Sequence, residues 1–152
     1  MDELIVVADV SGSMYVTGKT AILGNIMQTI SALGKNNTAK NITVTKMQWN
    51  GNRESFESLT EKYSGKKTLI LTDGYSFLDN CRESQTIKTF FETKRENVFV
   101  VLCGGDAVDI SISAFPMLKH HTIKAENILF ALESLFFKST KTDLETEKEN
   151  WE

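Results

Sequence analysis

The chain has 152 residues, of which 41% are hydrophobic and 24% charged, with a formal net charge of -3. That length carries one domain with a substantial core and is too short for two, and the mildly acidic balance removes the electrostatic case for binding nucleic acid. Two cysteines, Cys81 and Cys103, sit far apart without metal-type spacing, which argues against a disulfide scaffold.

Taken in chain order, the start Met-Asp-Glu leads straight into a short apolar run. It lacks a basic leader region and any stretch near ~20 apolar residues, so a cytoplasmic protein without a membrane span is expected. Residues 4–8 are apolar throughout, as in a central parallel strand covered on both faces, and they end in Asp9-Val10-Ser11-Gly12-Ser13. Residues 20–33 place Ile22, Ile26, Ile30 and Leu33 on one stripe, predicting a helix that Gly34 ends. Residues 41–49 alternate apolar and polar, and Asn50-Gly51 is a two-residue hairpin signal before residues 54–60, so a second and a third strand are predicted, paired antiparallel. Residues 67–72 form the fourth predicted strand and run into Thr72-Asp73-Gly74. Residues 84–94 read as a helix with Ile87, Phe90 and Phe91 inward, and residues 97–103 as the fifth strand. A short irregular helix around Pro116, a last strand at residues 122–124 and an apolar closing helix at residues 125–138 complete the pattern. From Ser139 the composition turns acidic and polar, and a disordered tail over residues 139–152 is expected, with Trp151 as a possible anchor for a partner. The fold class predicted for residues 1–138 is α/β: a doubly wound, mostly parallel six-stranded sheet with one antiparallel edge strand.

Asp9, Ser11 and Ser13 present three oxygen side chains at alternate positions after a buried strand. Gly12 is expected to allow a sharp turn, a combination suited to a hard divalent cation. Asp73 ends a second loop that falls beside the first if the two strands are neighbours. The alternative reading of the Asp9 loop is a helix-capping segment, and the second loop is what makes the metal signal strong. Asp-x-Ser-x-Ser after a first strand, followed by an apolar strand ending Thr-Asp-Gly, resembles the von Willebrand factor A family and its metal-ion-dependent adhesion site, over about the first 138 residues. The resemblance implies a Rossmann-like fold in which Asp9, Ser11, Ser13 and Asp73 hold Mg2+ or Mn2+, directly or through water. The ion would take a carboxylate from an Asp or Glu of a partner protein, so the implied role is adhesion and not catalysis. Residues 101–109 are similar in texture to bacterial tellurite-resistance-associated A domains, which implies an intracellular adaptor in a bacterial or phage stress or defence system.

The family's third-loop threonine has no counterpart. Only residues 61–66 join the predicted third and fourth strands, and six residues reach at most ~20 Å, too short to climb the sheet and return. Thr60 and Ser64 are therefore expected at the end opposite the metal. Water or a group from Asn50-Gly51-Asn52 would replace the threonine, metal affinity would be weak, and the sheet face near the second and third strands would be uncovered.

Two other readings stand beside this one. Residues 13–20 end in Gly18-Lys19-Thr20 and miss the phosphate-loop pattern by one residue, so a Mg-dependent nucleotide hydrolase would use Lys19, Thr20 and Asp73. A metal-free scaffold would instead bury its open face in a homo-oligomer. An aspartyl phosphotransferase would want a second aspartate where Ser11 stands. His120 and His121 lack a ligand-spaced partner, and Asp106 is expected to cap the following helix.

Overall fold

The computed structural model describes residues 2–15, 17–36 and 42–136. The tail expected at residues 139–152 lies outside them. Five strands, β1 (Asp2–Asp9), β2 (Ile42–Trp49), β3 (Lys67–Thr72), β4 (Val98–Leu102) and β5 (Thr122–Lys124), form one sheet in the order β2-β1-β3-β4-β5. Every pairing is parallel. The helices are α1 (Thr17–Asn36), α2 (Arg53–Lys62), α3 (Gln85–Lys94), α4 (Ile110–Ser113) and α5 (Ile128–Phe136).

Strand alternation divides the core into two layers. Leu4, Val6, Leu69 and Leu71 face α1 and α5, meeting Ile26, Ile30, Leu132 and Leu135. Ile5, Val7 and Ile70 point the other way, towards Phe56 of α2 and Ile87 and Phe91 of α3. The chain leaves β1 for one side of the sheet and returns to the other side at β3. Because crossovers between parallel strands are right-handed, this reversal puts α1 and α2 on opposite faces. The switch in direction falls between β1 and β3, where doubly wound sheets open a crevice at their carboxyl ends.

The Rossmann-like α/β class is present, but among the described residues there is no sixth strand and no antiparallel edge. The segment expected as a third strand is helix α2, and β2 pairs in parallel with β1. The Asn-Gly signal was sound about backbone conformation, since Gly51 has φ +87, and unsound about the segment after it. Asn52 caps the helix by accepting the Ser55 N–H at 3.0 Å, and the spacing of Phe56, Leu59 and Tyr63 turns one face to the core. Phe56 lies 5.0 Å from the Trp49 ring and is buried, so the face expected to be open near β2 is covered by α2. If α2 depends on this cap, Asn52→Ala will lower stability by about 1 kcal/mol in a urea titration. No change would mean that packing of Phe56 alone holds the helix.

Smaller differences concern boundaries. Helix α1 runs through Gly34 to Asn36, because one glycine inside a packed amphipathic helix costs only ~1 kcal/mol. The closing helix begins with a 3-10 turn at Ala125–Asn127 before α5. Helix α3 matches the expectation, with Ser84 accepting the Ile87 N–H at 3.2 Å. Among the described residues no helix is long and apolar enough to cross a membrane.

Candidate functional site

The loops after β1 and β3 meet at the switch point, joined by one hydroxyl. Thr72 donates to Asp9 Oδ2 at 2.7 Å and accepts the Gly74 N–H at 3.0 Å, so a single side chain sets both loops against each other. Asp9 Oδ1 accepts the Ser11 N–H at 2.9 Å. Asp9 is fully buried, yet among the described residues no lysine, arginine or histidine pairs with it. The Ser11 hydroxyl is buried beside it without a hydrogen-bond partner. A buried carboxylate matched only by neutral donors, next to an unused buried oxygen, is costly unless something cationic completes it.

Asp73 is also fully buried, but its charge is compensated. Its Oδ1 accepts the Tyr75 N–H at 3.2 Å, and its Oδ2 takes the Lys19 ammonium at 3.0 Å. Lys19 comes from the first turn of α1 and also reaches Asp106 Oδ1 at 3.0 Å and the Ser13 carbonyl at 3.2 Å. Burial alone would lower the Lys19 pKa, but the hydrogen bonds and charges of Asp73 and Asp106 outweigh it and raise the pKa.

All four expected site residues therefore fall in one network. Asp9 and Ser11 are bonded directly, Asp73 joins through Thr72 and Lys19, and Ser13 enters through its carbonyl oxygen. Several details differ from expectation. Gly12 starts a 3-10 turn outside the left-handed region, and the glycine that needs that region is Gly74, with φ +88. Asn50 and Asn52 do not supply the missing threonine, because their side chains bond within their own turn and helix cap. The nearby hydroxyl belongs to Ser76: a Cβ on Gly51 would lie 2.6 Å from Ser76 Oγ and 3.0 Å from Ser11 Cβ. Thr60 borders the same small cavity as Thr68, near the start of β3, which puts it at the opposite end of the sheet from Asp73, as expected. Asp106 pairs with Lys19, and the cap of α4 is Asp109, which accepts the Ser111 N–H at 2.9 Å.

Thr72 was legible only as part of its motif, and Ser76 carried no signal. Lys19 was visible as a phosphate-loop residue, with nothing in the sequence to aim it at Asp73. Beside the site, a groove of about 710 Å3 opens between α1 and the segment leading into α5, bordered by Gly104, Gly105, Ile22 and Glu126.

The residues present fit a divalent ion in part. The Asp9 carboxylate and the Ser11 hydroxyl offer oxygens, whereas Asp73 and the Ser13 carbonyl both engage Lys19 and reach an ion only where that lysine yields. Among the described residues there is no group of three or more His, Cys, Asp or Glu side chains placed to hold a metal, so serine hydroxyls would have to contribute. Thiolate chemistry has no support, since burial pushes both Cys81 and Cys103 up to about 12. His121 is held through Nδ1 to the Val98 carbonyl at 3.1 Å, away from this site. Comparison of the chain with protein-family models and with curated proteins gave no match in either.

Proposed function

We propose that this domain is a protein-interaction module of the von Willebrand factor A type. In it Asp9, Ser11, Ser13 and Asp73 hold Mg2+ or Mn2+ at the carboxyl end of the sheet. The observation that carries the reading is the buried Asp9 carboxylate beside the unpartnered Ser11 hydroxyl, at the switch point of a doubly wound sheet. The ion, when bound, would supply positive charge for a carboxylate of the partner protein, and no nucleophile is needed. The rim suits a protein partner: Tyr15, just past the first loop, is 70% exposed, and Ile112 of α4 is 83% exposed. Helix α4 stands beside the site, because a Cβ on Gly74 would lie 3.2 Å from Ile110 Cγ2. Action as an intracellular adaptor in a bacterial or phage stress or defence system rests on the family resemblance alone.

The test is calorimetric titration of chelator-stripped protein with Mg2+ and Mn2+. Saturable binding by the wild type and none by Asp9→Ala is the expected result. Equal saturable binding in both would sink the reading.

A nucleotide hydrolase remains the rival, favoured by the position of Gly18-Lys19-Thr20 in the first turn of α1 and by the Lys19–Asp73 pair. Against it, the Lys19 ammonium lies within hydrogen-bond distance of the Ser13 carbonyl, Asp73 and Asp106, which a phosphate would have to displace. Loss of nucleotide binding in Lys19→Ala with ion binding intact is the outcome the rival requires. A self-associating scaffold would instead appear as a stable oligomer indifferent to chelator.

A further inference from the structure

We propose that Lys19 is a tethered cation that occupies Asp73 in the ion-free protein and competes with the divalent ion, keeping Asp106 as its counter-charge when the ion is bound. The proposal rests on the ion-binding reading above and adds a control element to it.

The ammonium of Lys19 is fully matched, with Asp73, Asp106 and the Ser13 carbonyl at 3.0 to 3.2 Å. Lys19 is only 5% exposed, so its charge depends on these partners. The two carboxylates differ sharply: Asp73 is fully buried, while the Asp106 side chain is 59% exposed. Water can solvate Asp106 when Lys19 turns elsewhere, but Asp73 needs a cation at all times. A divalent ion and the Lys19 ammonium are therefore rivals for Asp73, and Asp106 can hold the displaced lysine.

The surrounding backbone is shaped to this lysine. Gly104 has φ +105, and a Cβ there would lie 2.8 Å from Lys19 Cε and 3.1 Å from Asp106 Oδ1. Tyr75 closes the other side, with its ring centroid 5.5 Å from the ammonium and its hydroxyl donating to the Asp106 carbonyl at 2.9 Å. The same residue donates its N–H to Asp73, so Tyr75 ties both carboxylate-bearing loops around Lys19. Part of the divalent ion's binding energy would go to expelling Lys19, and occupancy would respond to anything that draws Lys19 towards Asp106.

The experiment is titration of chelator-stripped protein with Mn2+, followed by loss of the free-ion electron paramagnetic resonance signal. It compares wild type, Lys19→Met, Lys19→Gln and Asp106→Asn, each checked for fold by circular dichroism. The Lys19 variants are expected to bind at least about tenfold tighter than wild type, and Asp106→Asn more weakly, since its displaced lysine loses a counter-charge. Binding by the Lys19 variants with a silent wild type also supports the competition. Equal or weaker binding in folded Lys19 variants, with a binding wild type, overturns the competition and leaves the ion-binding reading standing. Silence in every folded protein at about 10 mM Mn2+ overturns both. Where Lys19→Met does not fold, Lys19→Gln, whose side-chain amide can still donate to Asp73, and Asp106→Asn decide the matter.

Discussion

Replacing Gly74 with alanine is expected to cost the domain more than about 4 kcal/mol, a large share of the about 5–15 kcal/mol that holds a domain of this size together. The φ of +88 is one that an L side chain adopts at a cost of about 1 kcal/mol or more. The larger part is steric. The new Cβ would lie 2.2 Å from the Val108 carbonyl oxygen, a backbone atom, where real contacts do not occur. That carbonyl cannot retreat cheaply, because the Val108 N–H is bonded to the Asp73 carbonyl at 2.8 Å and ties the two loops together. Gly12 is the control: a Cβ there meets nothing within 4 Å, so Gly12→Ala should stay within about 0.5 kcal/mol of wild type. Urea denaturation followed by far-ultraviolet circular dichroism measures both. A loss below about 1 kcal/mol in Gly74→Ala would show that the β3 loop yields and that its shape is not what positions Asp73.

The second large effect is a crossed pattern between the two aspartates. In chelator-stripped protein, Asp73→Asn should lower stability by about 3 kcal/mol, because it leaves the buried Lys19 with only the exposed Asp106 as a charge partner. Asp9→Asn should leave stability unchanged or raise it, since it removes a buried charge that no basic side chain among the described residues compensates. The asparagine oxygen can still accept from Ser11 or Thr72. Both variants should lose Mn2+ binding. Stability bought by losing function is the usual mark of a residue kept for a ligand. A loss of more than about 2 kcal/mol in Asp9→Asn would make Asp9 a structural anchor of the two loops instead.

The arrangement places exposed groups where an adhesion module would need them. Tyr15 and Ile112 are exposed, while the Asp9 and Asp73 carboxylates of the proposed site are fully buried. In such a design the apolar rim would supply contact area and the buried centre would supply dependence on the ion. If Lys19 competes for that centre, adhesion would require ion and partner together, since a partner carboxylate stabilises the ion-bound form in which Lys19 has turned to Asp106.

The sequence by itself determined those features that local pattern encodes. An unbroken apolar run at residues 4–8 and the shorter apolar stretch at residues 69–71 specified buried strands, and the Asp9 and Asp73 loops followed from where those strands stop. The inward stripe of α3 and the apolar face of α5 were legible for the same reason, as helical spacing repeats every few residues. The segment from Arg53 to Lys62 reads wrongly as a strand, although Asn52 as a cap and the helical spacing of Phe56, Leu59 and Tyr63 carry the signal for the helix that forms. A hairpin signal at Asn50-Gly51 fixed a left-handed glycine without fixing the path of the chain beyond it. Tertiary structure alone decided which loops face each other and what lies between them. Lys19 is 54 residues from Asp73 and 87 from Asp106, and no periodicity connects positions so far apart. Their meeting depends on β1 and β3 becoming neighbours, on α1 starting beside the β3 loop, and on Gly104 leaving room for a lysine stem. Local pattern chose the carboxylates, and the packing of three distant loops chose the cation that sits among them.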